Sequence, residues 1–208
     1  MKKLFGELKM SWFAVILFAI ITGVYSGAVM LAPALDGTSL QDIGVSFEWW
    51  VIFAVIIVVN CQKWWEAMLK CFVFFLISQP LIYGVQIVFG SMTLQLALMY
   101  YKNWFIWTLL TIPGGAIAFL CKKQNFFGSL ILGLGNTIQA MMFAYYLPSV
   151  IKNFPNHLIT CIICVISIIA MSLTIQKEKK YKITAIAVPI VLTVAYLIIS
   201  EVTGIALM

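Results

Sequence analysis

The chain contains no arginine, and only 10% of its 208 residues are charged; seven are acidic and one, His157, is a histidine. Each shortage excludes something. Without guanidinium groups there is no bidentate clamp for phosphate or carboxylate. The net charge of +6 comes from 13 Lys against seven acids, and these Lys sit at the ends of apolar runs rather than on a basic face, so the charge is no nucleic-acid footprint. A soluble domain normally carries about 25% charged residues, so no separate soluble domain fits. There is no Gly-rich phosphate loop, GxSxG or HExxH, and with them go the nucleotide, serine-hydrolase and zinc-hydrolase signatures. If transport here is ATP-driven, the ATPase is a separate chain. No enzyme activity, cofactor or metal centre is expected.

What fills the chain instead is apolar: 63% of residues are hydrophobic and the mean hydropathy is +1.07. Apolar runs long enough to cross a bilayer follow one another from Ser11 to Gly204. They predict an all-α, polytopic integral membrane protein, a bundle of about seven transmembrane helices forming a single transmembrane domain over 1–208. The expected spans are 11–34, 49–65, 67–89, 104–121, 126–147, 158–175 and 183–203. The second is the shortest, and if it only dipped into the membrane every later span would invert. The mostly apolar stretch Ser91–Tyr101 reads as an interfacial helix or as an extension of span three.

Lys placement sets the expected orientation. Lys2, Lys3, Lys9, Lys63, Lys70, Lys122, Lys123, Lys177, Lys179, Lys180 and Lys182 fall on one side if the N-terminus is inside, leaving Lys102 and Lys152 on the other. That is the positive-inside pattern, N-in/C-out. Trp12, Trp49, Trp50, Trp64, Trp65 and Trp104 mark span ends, as interfacial indoles do. The first span is too long for the apolar core of a signal peptide, and is read as uncleaved. Abundant Lys, Ile and Asn without Arg suggest an AT-rich bacterial genome, hence a bacterial plasma membrane and a lipid bilayer as the surrounding partner. Cys61, Cys71, Cys121, Cys161 and Cys164 read as buried packing residues, the last two despite their CxxC spacing.

Two features concern packing. Gly23 and Gly27 form a GxxxG on span one, a groove into which another helix fits, from this bundle or from a partner membrane protein. Pro113-Gly114-Gly115 in span four reads as a helix break of the kind transporters use for gating and ligand contact.

The candidate site is a polar constellation. Gln79, Tyr83 and Gln86 share one face of span three at i, i+4 and i+7. Ser129, Asn136 and Gln139 align on span five, with Gln79 and Gln139 both about 20 Å from the Lys-rich side. A primary amide facing lipid leaves donors and acceptors unpaired, so these groups face the interior, where they either fix helix register or line a cavity. Such a lining has no fixed charge and suits a small neutral or zwitterionic polar solute. Glu48 and Glu201 fall near span ends, which argues against a carboxylate relay. His157 precedes Cys161 by four residues, but no acidic orienter stands nearby in sequence. The expected function is small-solute transport, as a facilitator or as the membrane subunit of a transporter; the alternative is a non-transporting partner (immunity, signalling or assembly) acting through helix contacts.

Overall fold

A computed structural model describes residues 8–203. Among these residues there are eight α-helices and no strand: α1 (Trp12–Val29), α2 (Ser39–Val45), α3 (Phe47–Asn60), α4 (Trp64–Val88), α5 (Leu94–Phe119), α6 (Phe126–Lys152), α7 (Leu158–Ile175) and α8 (Lys179–Thr203), with short 3-10 turns at Pro33–Leu35 and Leu120–Lys122. Six of them, α1 and α4 to α8, are long and apolar enough to cross a membrane.

Several helix starts follow from local chemistry. The Ser11 hydroxyl accepts from Ala14 N at 3.1 Å, Thr93 from Leu96 N at 3.3 Å, and the Asn125 carbonyl oxygen from Gly128 N at 2.8 Å. Each satisfies one backbone N–H that a helix start leaves without an intrahelical partner. Gly90, at φ 73°, ends the α4 connection, and Thr93 then opens α5. The stretch 91–101 is therefore mainly the N-terminal part of span four, not an extension of span three; α5 reaches 26 residues, about 39 Å.

The second span also departs from expectation. The helix is α3, 14 residues long, about 21 Å and short of the roughly 30 Å hydrocarbon thickness. It is preceded by α2, bent 59° against it. Even so, α2 and α3 together connect opposite ends of the bundle. Ahead of α3, α2 lies on the far end of α1: Tyr25 donates to Leu40 O at 2.9 Å, and Gly44 sits so close that a Cβ would come 2.9 Å from Ser26 Cα. At the finish of α3, Asn60 Oδ1 accepts from Leu8 N at 2.8 Å, before α1 begins, and Cys61 O accepts from Lys122 Nζ at 2.6 Å.

Around α3 the bundle forms two lobes. In one, α4 packs on α1 and α5; in the other, α6 packs on α7 and α8. Small residues set the close approaches. A Cβ at Gly23 would lie 2.6 Å from Ser78 O and one at Gly27 2.7 Å from Val85 Cβ, so the GxxxG groove of α1 is filled by α4. A Cβ at Gly133 of α6 would lie 2.7 Å from Val188 Cβ of α8. An aromatic cluster of Phe18, Trp50, Phe53, Phe74 and Phe75 joins α1, α3 and α4, with ring centroids 5.0–6.2 Å apart.

The expected break at Pro113-Gly114-Gly115 is not present: α5 runs through all three. Packing holds it, since a Cβ at Gly115 would come 3.0 Å from Met68 Cα of α4, whereas Gly114 faces open space. The real discontinuity in the bundle is the α2–α3 bend.

At the Lys-rich end the loops are tied by side chains. Gln176 Nε2 donates to Cys121 O at 2.7 Å and Gln124 Nε2 to Ile175 O at 2.9 Å. Lys70 donates to Met10 O and pairs with Glu66. Cys61 is buried in the turn between α3 and α4, and burial pushes its thiol up to about 11.

Candidate functional site

The five predicted lining residues are all buried, but they do not share one site. The α4 group turns toward α1 and α5. The Tyr83 ring stacks on Tyr100 of α5 at 6.4 Å, and Gln86 Nε2 lies 3.3 Å from Ile82 O and 3.5 Å from the Met30 sulfur. Gln79 is buried on the same helix. The α6 group turns the other way. Asn136 Nδ2 donates to Ser172 Oγ of α7 at 3.1 Å, and Gln139 Nε2 donates to the backbone carbonyl of Glu48 on α3 at 3.2 Å. Residue counting gives a position along a helix but not the direction its side chain takes, and α3 enters between the two groups.

The Gln139 contact moves Glu48. Gln139 is the middle residue of the 27-residue α6, so the start of α3 lies about 20 Å from either end of α6. Glu48 is therefore not at the boundary where the apolar pattern placed it. The α2–α3 bend carries it inward, because α3 is too short to bring its own start to the surface. The Glu48 side chain is fully buried, and neither carboxyl oxygen has a hydrogen-bond partner. Gln139 Oε1, also buried, has none either. A carboxylate without partner or solvent is strongly disfavoured; this one requires a proton or a cation.

A second set of polar groups leads from Glu48 toward the α2 end of the bundle. Asp42, on α2, is buried. Its Oδ2 lies 2.8 Å from His157 Nδ1 and accepts from Thr160 Oγ1 at 2.6 Å. The Thr160 backbone N–H donates to Ser39 Oγ at 3.1 Å. The Ser46 hydroxyl donates to the Asp42 backbone carbonyl at 2.6 Å. The Tyr146 ring stacks on His157, centroids 4.5 Å apart and 20° from parallel.

His157 occupies the residue before α7 with φ 56°, a left-handed conformation uncommon outside glycine. Such a residue persists where its surroundings over-determine it; here the Asp42 contact and the Tyr146 stack do so. The acidic orienter absent from the sequence neighbourhood is thus supplied by Asp42, 115 residues away. His157 Nε2 faces the Gly37 and Asn156 side of the loop, 4.0 Å from where a Gly37 Cβ would be. Cys161 and Cys164 are buried on α7 as free thiols. Among the described residues, no group of three or more His, Cys, Asp and Glu is placed to hold a metal ion.

Sequence reasoning missed this site because its members are far apart in the chain. The available signal was an acidic residue opening the shortest apolar run, preceded by Ser39, Asp42 and Ser46 at near-helical intervals.

A polytopic, all-helical membrane-embedded architecture is the class that fold and site define. No known protein family matches the chain, and no curated protein or solved structure matches it.

Proposed function

We propose that this is a membrane transport protein centred on Glu48. The observation that carries the reading is a fully buried carboxyl with both oxygens unpartnered, at the start of a short helix bent 59° from its predecessor. Ionisable groups inside a membrane bundle mark substrate or ion pathways, and discontinuous helices build binding sites in transporters. The cargo is a small polar solute, neutral or zwitterionic, that offers a hydrogen-bond donor or ammonium group to Glu48 and Gln139, with Asn136 one helical turn away. Gln79, Tyr83 and Gln86 lie in the other lobe and serve packing between α1, α4 and α5. Lys placement supports an N-in/C-out arrangement with α3 as the seventh crossing, in a bacterial plasma membrane. The protein works without a catalytic step of its own, as a facilitator, a coupled carrier or the membrane subunit of a transporter with a separate ATPase. The alternative, a non-transporting partner, rests on the Gly23/Gly27 groove and on the basic loop 176–182 with its four Lys; the groove is filled by α4, which leaves the loop as its support.

The test is a native mass spectrum of the protein gently extracted from its own membrane. A bound polar small molecule that is lost in Glu48→Gln is the expected result. A ligand-free spectrum with a stoichiometric protein partner overturns the transport reading.

A further inference from the structure

We infer that a cleft between α7 and α8, floored by α6, holds one acyl chain of an anionic phospholipid whose phosphate rests on Lys152. The lipid site stands apart from Glu48 and from the transport reading, being formed by α6, α7 and α8 alone. α7 and α8 both pack on α6 and far less on each other, and the gap left between them is a cavity of about 710 Å³. Ala140, Ala144 and Pro148 recur at every fourth residue of α6 and line the cavity, so they share one face, and their small side chains give the cleft its depth. Its walls include Ile169 of α7 and Ile190 of α8. Both are exposed, so the cleft opens sideways, toward whatever surrounds the bundle.

Surroundings, length and charge select the occupant. All three helices are long and apolar enough to cross a membrane, so the open side of the cleft meets hydrocarbon. Along α6 the lining runs from Ala140, one residue past the helix midpoint, to Lys152, the last residue. That is about 18 Å, a little over half of the roughly 30 Å hydrocarbon core. A chain entering at Lys152 therefore ends near the midplane, as a lipid tail does. A spanning helix of a partner protein is about 10 Å across and runs the full thickness, which this cleft does not. At the mouth, Lys152 is exposed, and among the described residues it forms no ion pair with a carboxylate. Glu201, four residues beyond Leu197 of the α8 wall, is exposed as well and is not paired with it. An ammonium at the top of an apolar cleft matches a phosphate at the top of a hydrocarbon tail. The other polar side chain of the lining is Thr193, whose buried hydroxyl has no hydrogen-bond partner. A hydrocarbon tail makes no use of that hydroxyl, whereas a polar solute in the same cleft would bond to it, so Thr193 separates the two occupants.

The experiment offers the delipidated, full-length protein equal amounts of phosphatidylglycerol and phosphatidylcholine with identical chains, in mixed micelles, and counts the retained lipids by native mass spectrometry. The wild type is expected to keep one phosphatidylglycerol, preferred about fivefold over phosphatidylcholine, the contribution of one Lys near a membrane surface. Lys152→Gln brings the two lipids to the same level. Ala144→Phe fills the floor of the cleft and removes the bound lipid of either kind. Thr193→Val, and Lys102→Gln on α5 outside the cleft, leave the preference unchanged. Equal retention of the two lipids by the wild type overturns the site, as does a preference that survives Lys152→Gln. Loss of the preference in Lys102→Gln overturns it by placing the headgroup elsewhere, and loss in Thr193→Val by pointing to a polar ligand. Lys152 is exposed, so Lys152→Gln decides the matter even if Ala144→Phe does not fold. Glu48→Gln keeps the phospholipid while losing the transported solute, so failure of one reading is distinguishable from failure of the other.

Discussion

Gly23→Ala and Gly84→Ala place the same methyl group in two adjacent helices with opposite surroundings. At Gly23 the added Cβ lies 2.6 Å from Ser78 O and 2.9 Å from Leu81 Cβ. Ordinary contact begins near 3.4 Å, so α1 and α4 must separate by several tenths of an ångström along a seam that also includes Gly27. At Gly84 nothing lies within 4 Å. Both changes gain about 1 kcal/mol of intrinsic helix propensity, and that gain cancels when the two variants are compared. What remains is the overpacking cost at Gly23, about 1–3 kcal/mol. At about 1.4 kcal/mol per factor of ten, the folding equilibrium of Gly23→Ala is about 5- to 150-fold less favourable than that of Gly84→Ala. The assay is reversible unfolding in mixed micelles, both variants measured against the wild type. Equal stabilities would refute a backbone-on-backbone seam between α1 and α4.

Other consequences are measurable in the same system. Gln139→Leu leaves the Glu48 carbonyl without its donor and costs about 1–3 kcal/mol, read as a lower unfolding midpoint, whereas Glu48→Gln removes a buried acid, keeps the shape, and retains the wild-type midpoint while losing bound solute. Asn125→Ala removes the cap of α6 and lowers stability by about 1 kcal/mol. The Cys61 thiol, raised to about 11 by burial, is ionised in about one molecule in a thousand at pH 8. Because only the thiolate alkylates, maleimide labelling of a variant keeping Cys61 as its only cysteine is slow in the fold, fast on unfolding, and rises in the folded protein as pH approaches 11.

Apolar run length made most helices legible in the sequence. Leu158–Ile175 coincides with the expected sixth span, because polar His157 and Gln176 flank an uninterrupted run. The start of α8 at Lys179 lies four residues before the apolar run; Lys179, Lys180 and Lys182 are good helix formers, and the backbone continues through them. The second span misled because hydropathy counts Trp64 and Trp65 with the run before them. In the fold, Asn60 closes α3 by donating to Ile56 O at 2.7 Å, and the two Trp open α4. The candidate site was legible only in part. Gln139 and Asn136 stand out as buried amides on an apolar helix, but their partners, Glu48 and Ser172, depend on which helix lies beside α6. Gln79, Tyr83 and Gln86 share the same sequence signature and face another lobe. Periodicity reveals that a face is polar, not what the face meets, and a contact such as Asp42–His157 spans most of the chain.

The shortness of α3 also bears on how the protein is made. A 14-residue helix with Glu48 in its first turn is too short to satisfy a bilayer on its own. The Gln139 amide that donates to the Glu48 carbonyl lies on α6, which is synthesised later. Segment by segment insertion therefore cannot finish α3 when it emerges. On the proposed topology, with α3 as the seventh crossing, the segment is held at the membrane surface or within the insertion machinery until α4 to α7 have entered, so the step that seats α3 also assembles the two lobes. Truncating nascent chains before and after α6, and tagging the α3 ends for glycosylation, would show its crossing only in the longer chains.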